Sequence, residues 1–152
     1  MSTAARPQHR AHVEVDGVRL AYRVDGSGAD APAVVLLHSL GTHLGMWEPQ
    51  VAPLAQRFRV VRYDCRGHGA SDVAAGPLTV ERLGRDVIAL LDHLEIERAH
   101  LCGISLGGLT ALWLAVHHPD RADRVVLANT GARIGSAESW DARIAAVERG
   151  GM

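Results

Sequence analysis

The run Ala99-His100-Leu101-Cys102-Gly103-Ile104-Ser105-Leu106-Gly107-Gly108-Leu109 constrains the fold more than any other part of the chain. A short apolar strand enters G-x-S-x-G, and a helix leaves it directly. Gly103 and Gly107 flank a serine on a tight strand-to-helix turn, where side chains at either flank would collide. Such a turn lifts the Ser105 hydroxyl above a sheet. It also aims the positive end of the following helix at whatever the hydroxyl attacks. The motif alone is weak, because glycine and serine are common, so its weight depends on the segments around it.

Upstream, 12–15 and 18–24 alternate apolar and polar residues around Asp16-Gly17, the preferred two-residue hairpin turn. Residues 25–32 read as a loop. Ala33-Val34-Val35-Leu36-Leu37 is a continuous apolar run, as expected of a strand covered on both faces, and it ends at His38-Ser39-Leu40-Gly41. A helix is expected over 47–58, with Pro49 near its start. A strand follows over 59–63, closing into the loop Asp64-Cys65-Arg66-Gly67-His68-Gly69. Thr79 is placed to cap a helix whose apolar positions Val80, Leu83, Val87, Leu90, Leu91 and Leu94 share one face. After Ser105 a helix runs to His118 and stops at Pro119. Residues 124–129 read as one more buried strand, 131–136 as a loop, and 137–149 as a last helix. A hairpin followed by alternating strands and helices predicts an α/β fold with a mainly parallel sheet.

A chain of 152 residues, 47% of them hydrophobic, buries one core, so a single domain is expected. The expected divisions are a disordered N-terminus over 1–11, an α/β core over 12–135 and a further helix over 136–152. A net charge of −1 gives no electrostatic reason for nucleic acid or an anionic membrane as partner. All 16 basic residues are arginines, which codon usage in a GC-rich genome explains without function. No secretory signal and no apolar run long enough to span a bilayer is found. With two cysteines, too few for a disulfide framework, a reducing cytoplasm is the expected compartment. Oligomeric state is not legible. The histidines and cysteines lack metal-ligand spacing, so neither metal nor cofactor is expected.

Acyl transfer places negative charge on a former carbonyl oxygen, and fixed amide donors there are worth several kcal/mol. Leu106 and Leu40 are the expected oxyanion donors, with Ser39 as the alternative to Leu40. Both turns fall at strand carboxyl ends, where open α/β sheets place their sites. The same glycines would equally serve two chemically silent turns.

With these residues in view, the chain resembles the α/β-hydrolase-fold family and, within it, the 3-oxoadipate enol-lactonases. The superfamily-wide features are Gly103-Ile104-Ser105-Leu106-Gly107-Gly108 and the loop from Tyr63-Asp64-Cys65-Arg66-Gly67-His68-Gly69 to Asp72. Val15-Asp16-Gly17-Val18 and His38-Ser39-Leu40-Gly41-Thr42 add to these. The stretches Leu44-Gly45-Met46-Trp47, Leu127-Ala128-Asn129-Thr130, Ala132-Arg133-Ile134-Gly135 and Trp140-Asp141-Ala142-Arg143-Ile144 narrow the likeness to the lactonases.

The resemblance implies a cofactor-free hydrolase in which Ser105 attacks a small lactone or ester. Arg133 and Arg143 would meet a substrate carboxylate, or else are solvated surface charges. Trp47 and Trp140 line the pocket, or else sit in the core. The last helix would be the first of a cap. Members of the family continue through a cap and further core strands, and the order Ser, Asp, His places the triad acid and base beyond Met152. The histidines present each have an ordinary reading: His38 in the oxyanion loop, His68 in a structural turn, and His117 and His118 at the far end of the serine's helix. Asp64 and Asp72 are expected to brace the glycine loop. An inactive remnant therefore stands beside the hydrolase, and another small-ester or lactone hydrolase of the same fold beside both.

Overall fold

The structure, a computed structural model, describes residues 10–26, 28 and 30–151. Most of the expected disordered N-terminus lies outside the described residues. Arg10 and Ala11 are described, and Ala11 already belongs to a strand.

Strands β1 (Ala11–Val15) and β2 (Val18–Asp25) form the expected hairpin. Asp16 and Gly17 both take positive φ, 49° and 74°, the geometry of a two-residue turn that matches strand twist. Strands β3 (Ala33–Leu37), β4 (Arg59–Tyr63), β5 (Ala99–Ile104) and β6 (Ala122–Ala128) complete a six-stranded sheet of order β1-β2-β4-β3-β5-β6. The β1–β2 and β2–β4 pairs are antiparallel, and β4–β3, β3–β5 and β5–β6 are parallel. This is the α/β architecture read from the sequence.

Helices α2 (Val80–His93) and α3 (Leu106–His117) cover one face. Val35, Leu37, Val61 and Leu101 meet Leu83, Val87, Leu90 and Leu114 there in one core. Thr79 caps α2 as expected, its side chain accepting from Arg82 N–H at 3.1 Å. The α2–α3 approach is close because Gly84 leaves room for the Trp113 indole. On the other face Val34, Leu36 and Val60 pack under Leu54 and Phe58. This separation follows from strand alternation, odd residues of β3 facing one layer and even residues the other.

Four expectations change. The helix over 47–58 is a 3-10 turn (Leu44–Trp47) followed by α1 (Glu48–Ala55), with residues 56–58 in a turn. Pro53 inside α1 supplies no N–H, which shortens the hydrogen-bonded run. Asp25 belongs to β2, paired opposite Val60, because its carboxylate takes the Arg62 guanidinium in a fully buried ion pair at 2.7 Å. The exposed Glu48 takes the other edge of Arg62 at 2.8 Å. The strand expected to be buried, β6, is instead an edge. Val125 packs on the core, while Val126 and Leu127 are 58% and 43% exposed. Finally, β6 begins at Ala122 rather than at 124, while the expected last helix is present as α4 (Ala137–Gly150) and carries no buried residue.

Candidate active site

Ser105 joins β5 to α3 with φ 53° and ψ −116°, a strained backbone for a residue with a Cβ. Such strain costs about 1–3 kcal/mol and persists only where the surroundings enforce it. Here the glycines enforce it. A Cβ on Gly103 would strike the backbone of Gly107, and one on Gly107 would strike the carbonyls of Leu37 and His38. The start of α3 therefore rests directly on the carboxyl end of β3. A third glycine, Gly108, admits Thr130, whose methyl carbon would lie 2.6 Å from an added Cβ.

The loop after β6 straps the turn from the other side. Ser105 N–H donates to Ala128 O at 3.0 Å, and Thr130 Oγ1 donates to Ser105 O at 2.8 Å. Asn129, between them, takes φ 45°. The Leu127-Ala128-Asn129-Thr130 stretch was legible as part of the family likeness, but its strapping role was not.

The loop after β3 places Ser39 half-buried and Leu40 47% exposed beside this turn. Among the described residues neither the Leu40 nor the Leu106 N–H finds an acceptor within the protein. The first N–H groups of a helix have no intrahelical partner, and an oxyanion would take them.

Two imidazoles hold this loop to the loop after β4. His38 is 3% exposed; its Nδ1–H donates to Ser39 O at 2.8 Å and its Nε2 accepts from Cys65 N–H at 2.9 Å. Burial holds its pKa below the usual histidine value, so the ring is neutral. With both nitrogens committed, His38 has no lone pair for Ser105. Reciprocally, His68 Nε2 accepts from Gly41 N–H at 3.1 Å, and its Nδ1 lies 3.2 Å from Arg66 O. Burial also pushes the neighbouring Cys65 thiol up to about 12, and the residue is no thiolate nucleophile.

Asp64 braces the same corner, accepting from Leu44 N–H at 2.6 Å and Ala70 N–H at 2.9 Å. Asp72 pairs bidentately with Arg19 at 3.0 Å, an exposed contact that ties the loop to β2. Each carboxylate braces the glycine loop. In addition Arg66 is buried against Asp86 of α2.

The remaining sequence candidates are not gathered around Ser105. Trp47 lines a groove of about 670 Å³ between α1 and β6, with Val34, Leu36, His100 and Cys102. Trp140 turns back on its own loop, donating Nε1–H to Ile134 O at 2.6 Å, and Arg143 stacks over its ring at 5.1 Å. Arg133 and Arg143 are both exposed. His100 sits beside Asp123, at 3.1 Å, along the sheet. His117 stacks on Trp113 at the far end of α3. No described imidazole hydrogen-bonds to the Ser105 hydroxyl. Among the described residues no group of three or more His, Cys, Asp or Glu could hold a metal ion, and no helix is long and apolar enough to cross a membrane.

The chain is 50% identical over 135 residues to 3-oxoadipate enol-lactonase 2 of Acinetobacter baylyi, covering 89% of this chain and 50% of that protein. The crystal structure of the enol-lactonase from Burkholderia xenovorans superposes with a TM-score of 0.90 at 52% identity, over 93% of this chain and 55% of that one. A hydrolase from Pseudomonas aeruginosa gives 0.87 at 53% identity, over 92% and 53%. The chain thus spans about half the length of the relatives it matches. The model of the alpha/beta hydrolase fold family matches residues 32–143, which contain the turn at Ser105, the loop after β3 and the braced loop after β4. The chain belongs to the α/β-hydrolase fold family.

Proposed function

We propose that the protein supplies the nucleophile half of a serine hydrolase acting on small lactones, of the kind that opens 3-oxoadipate enol-lactone. The observation that carries this is the strained Ser105 backbone, pressed by Gly107 onto the end of β3 with two free N–H donors beside it. The identity to enol-lactonases supports the lactone over other esters.

In this reading Ser105 Oγ attacks the lactone carbonyl, and the Leu40 and Leu106 N–H groups hold the oxyanion. The ring C–O bond breaks, and the ring oxygen takes up the proton lost by the Ser105 hydroxyl. The resulting enol stays tethered to the acyl group and tautomerises to the ketone, and water then hydrolyses the acyl ester to free Ser105. No cofactor enters, and the partner is a small molecule. Arg133 and Arg143 are the proposed partners of the substrate carboxylate, with Ser39, Trp47 and Trp140 proposed to contribute to the pocket.

Proton removal from Ser105 needs a base. His38 and His68 are both occupied by backbone groups, so neither is assigned as that base. The specific competing reading is a chain that acylates once and stops. It is favoured by the absence of an imidazole on Ser105 Oγ among the described residues.

p-Nitrophenyl acetate separates the readings. Continuous turnover lost in Ser105→Ala supports a working hydrolase. A burst of one equivalent without turnover means a nucleophile with its oxyanion donors and no base. Absence of both in a folded sample refutes the nucleophile assignment.

A further inference from the structure

The loops after β3 and β4 exchange imidazoles. His38, on the first, accepts a backbone N–H from the second at Cys65, and His68, on the second, accepts one from the first at Gly41. The rings lie 5.2 Å apart. Gly41 directly follows Leu40, whose N–H is the proposed oxyanion donor. Holding the Gly41 N–H fixes the Leu40–Gly41 peptide plane, which Leu40 Cα joins to the Ser39–Leu40 plane that carries the donor.

We propose that His68 is a positioning residue that holds the oxyanion loop in register by accepting the Gly41 N–H at Nε2. The proposal rests on the serine hydrolase reading for its catalytic consequence, but not for the loop contact itself.

An imidazole accepts at Nε2 only when that nitrogen carries no proton. Nδ1 faces Arg66 O, which places the ring hydrogen there and leaves Nε2 for Gly41. With Nε2 as its acceptor, the Gly41 N–H ties the oxyanion loop to the loop after β4.

The titratable and charged groups around His68 are few. His38 faces it from the β3 loop, and His43 lies further along that loop. From its own loop come the buried Asp64 carboxylate, the Cys65 sulfur 3.2 Å from Nδ1, and the Arg66 guanidinium, which is turned away to Asp86. None of these groups offers Gly41 an alternative acceptor.

Two variants separate positioning from simple stability. His68→Gln places an amide oxygen near the Nε2 position and cannot titrate, while His68→Phe keeps the ring volume without an acceptor. The first readout is the Gly41 amide, followed by ¹H–¹⁵N shift and hydrogen exchange at pH 8. The second is the acylation rate of Ser105 by p-nitrophenyl acetate. In that step the Oγ–acetyl bond forms, nitrophenolate leaves, and the hydroxyl proton passes to buffer.

The expected result is a Gly41 N–H protected in the parent and in His68→Gln, and deprotected in His68→Phe. Acylation should fall roughly tenfold or more in His68→Phe, short of the 10²–10³ expected for outright loss of a donor. In His68→Gln it should match the parent. An unchanged Gly41 amide in His68→Phe overturns the proposal. So does an equal loss of acylation in both variants. If Gly41 follows His68 while Ser105 never reacts in the parent, the loop contact is supported and the hydrolase reading fails.

Discussion

Replacing Asp64 with alanine removes the brace between the two loops at the serine. Its buried carboxylate receives Leu44 N–H on one oxygen and Ala70 N–H on the other, at 2.6 and 2.9 Å. Hydrogen bonds to a charged group are worth about 1.5–3 kcal/mol each, so losing both costs about 3–6 kcal/mol. That is a large share of the ~5–15 kcal/mol that holds a domain together. Asp64→Asn keeps one acceptor and turns an amide N–H toward the other donor, at a cost of at least ~1.5–3 kcal/mol. Taking a urea slope of about 2 kcal/mol/M, the midpoint falls by ~1.5–3 M in the alanine variant and by about half that in the asparagine variant. The assay is urea unfolding followed by far-UV dichroism and tryptophan fluorescence, whose transitions must coincide. A midpoint within ~0.3 M of the parent for Asp64→Ala would refute the brace.

Three further outcomes are expected. Asp25→Ala leaves the Arg62 guanidinium buried beside only the exposed Glu48, and should cost ~3–5 kcal/mol by urea unfolding, whereas replacing Asp25 and Arg62 together by apolar residues should cost less. The folded-state pKa of His38 lies below the 6.5 of a free histidine, so between the two values the unfolded chain binds more protons. Stability should therefore be full above pH 6.5 and decline as the pH falls below it, and the part of that slope lost in His38→Gln, read from urea midpoints at pH 7.5 and 5, belongs to His38. Gly107→Ala puts a methyl against the carbonyls of Leu37 and His38, which should cost ~1–3 kcal/mol and slow Ser105 acylation by more than the loss of folded protein explains.

Local rules made much of this structure legible. Asp16-Gly17 specified its turn because few residue pairs accept two positive φ angles, and Thr79 specified the start of α2 because its hydroxyl replaces a missing backbone partner. The strand-to-helix turn at Ser105 was legible for a similar reason, since Gly103 and Gly107 permit contacts that no side chain allows. The nonlocal partners were not legible. Nothing in Val24-Asp25 or Val61-Arg62 announces an ion pair between residues 37 positions apart, because a polar residue in an alternating strand normally faces water. The exchange of imidazoles between His38 and His68 was hidden likewise, each ring having a sufficient local reading in its own loop. In β6, Val125-Val126-Leu127 is apolar on both faces and reads as a buried strand, yet only one face meets a covering helix. Helix α4 was legible from its spacing, with Ile144 and Val147 53% and 45% exposed.

The central claim is that Ser105 stands as a nucleophile, its turn strained and its oxyanion donors set, whatever supplies the base. Mass spectrometry after exposure to an alkyl fluorophosphonate tests it most directly, because phosphonylation expels fluoride and needs no deacylation. The account predicts one adduct per chain, mapped to Ser105 and absent from Ser105→Ala. An unmodified folded chain, or an adduct that persists in Ser105→Ala, would contradict it.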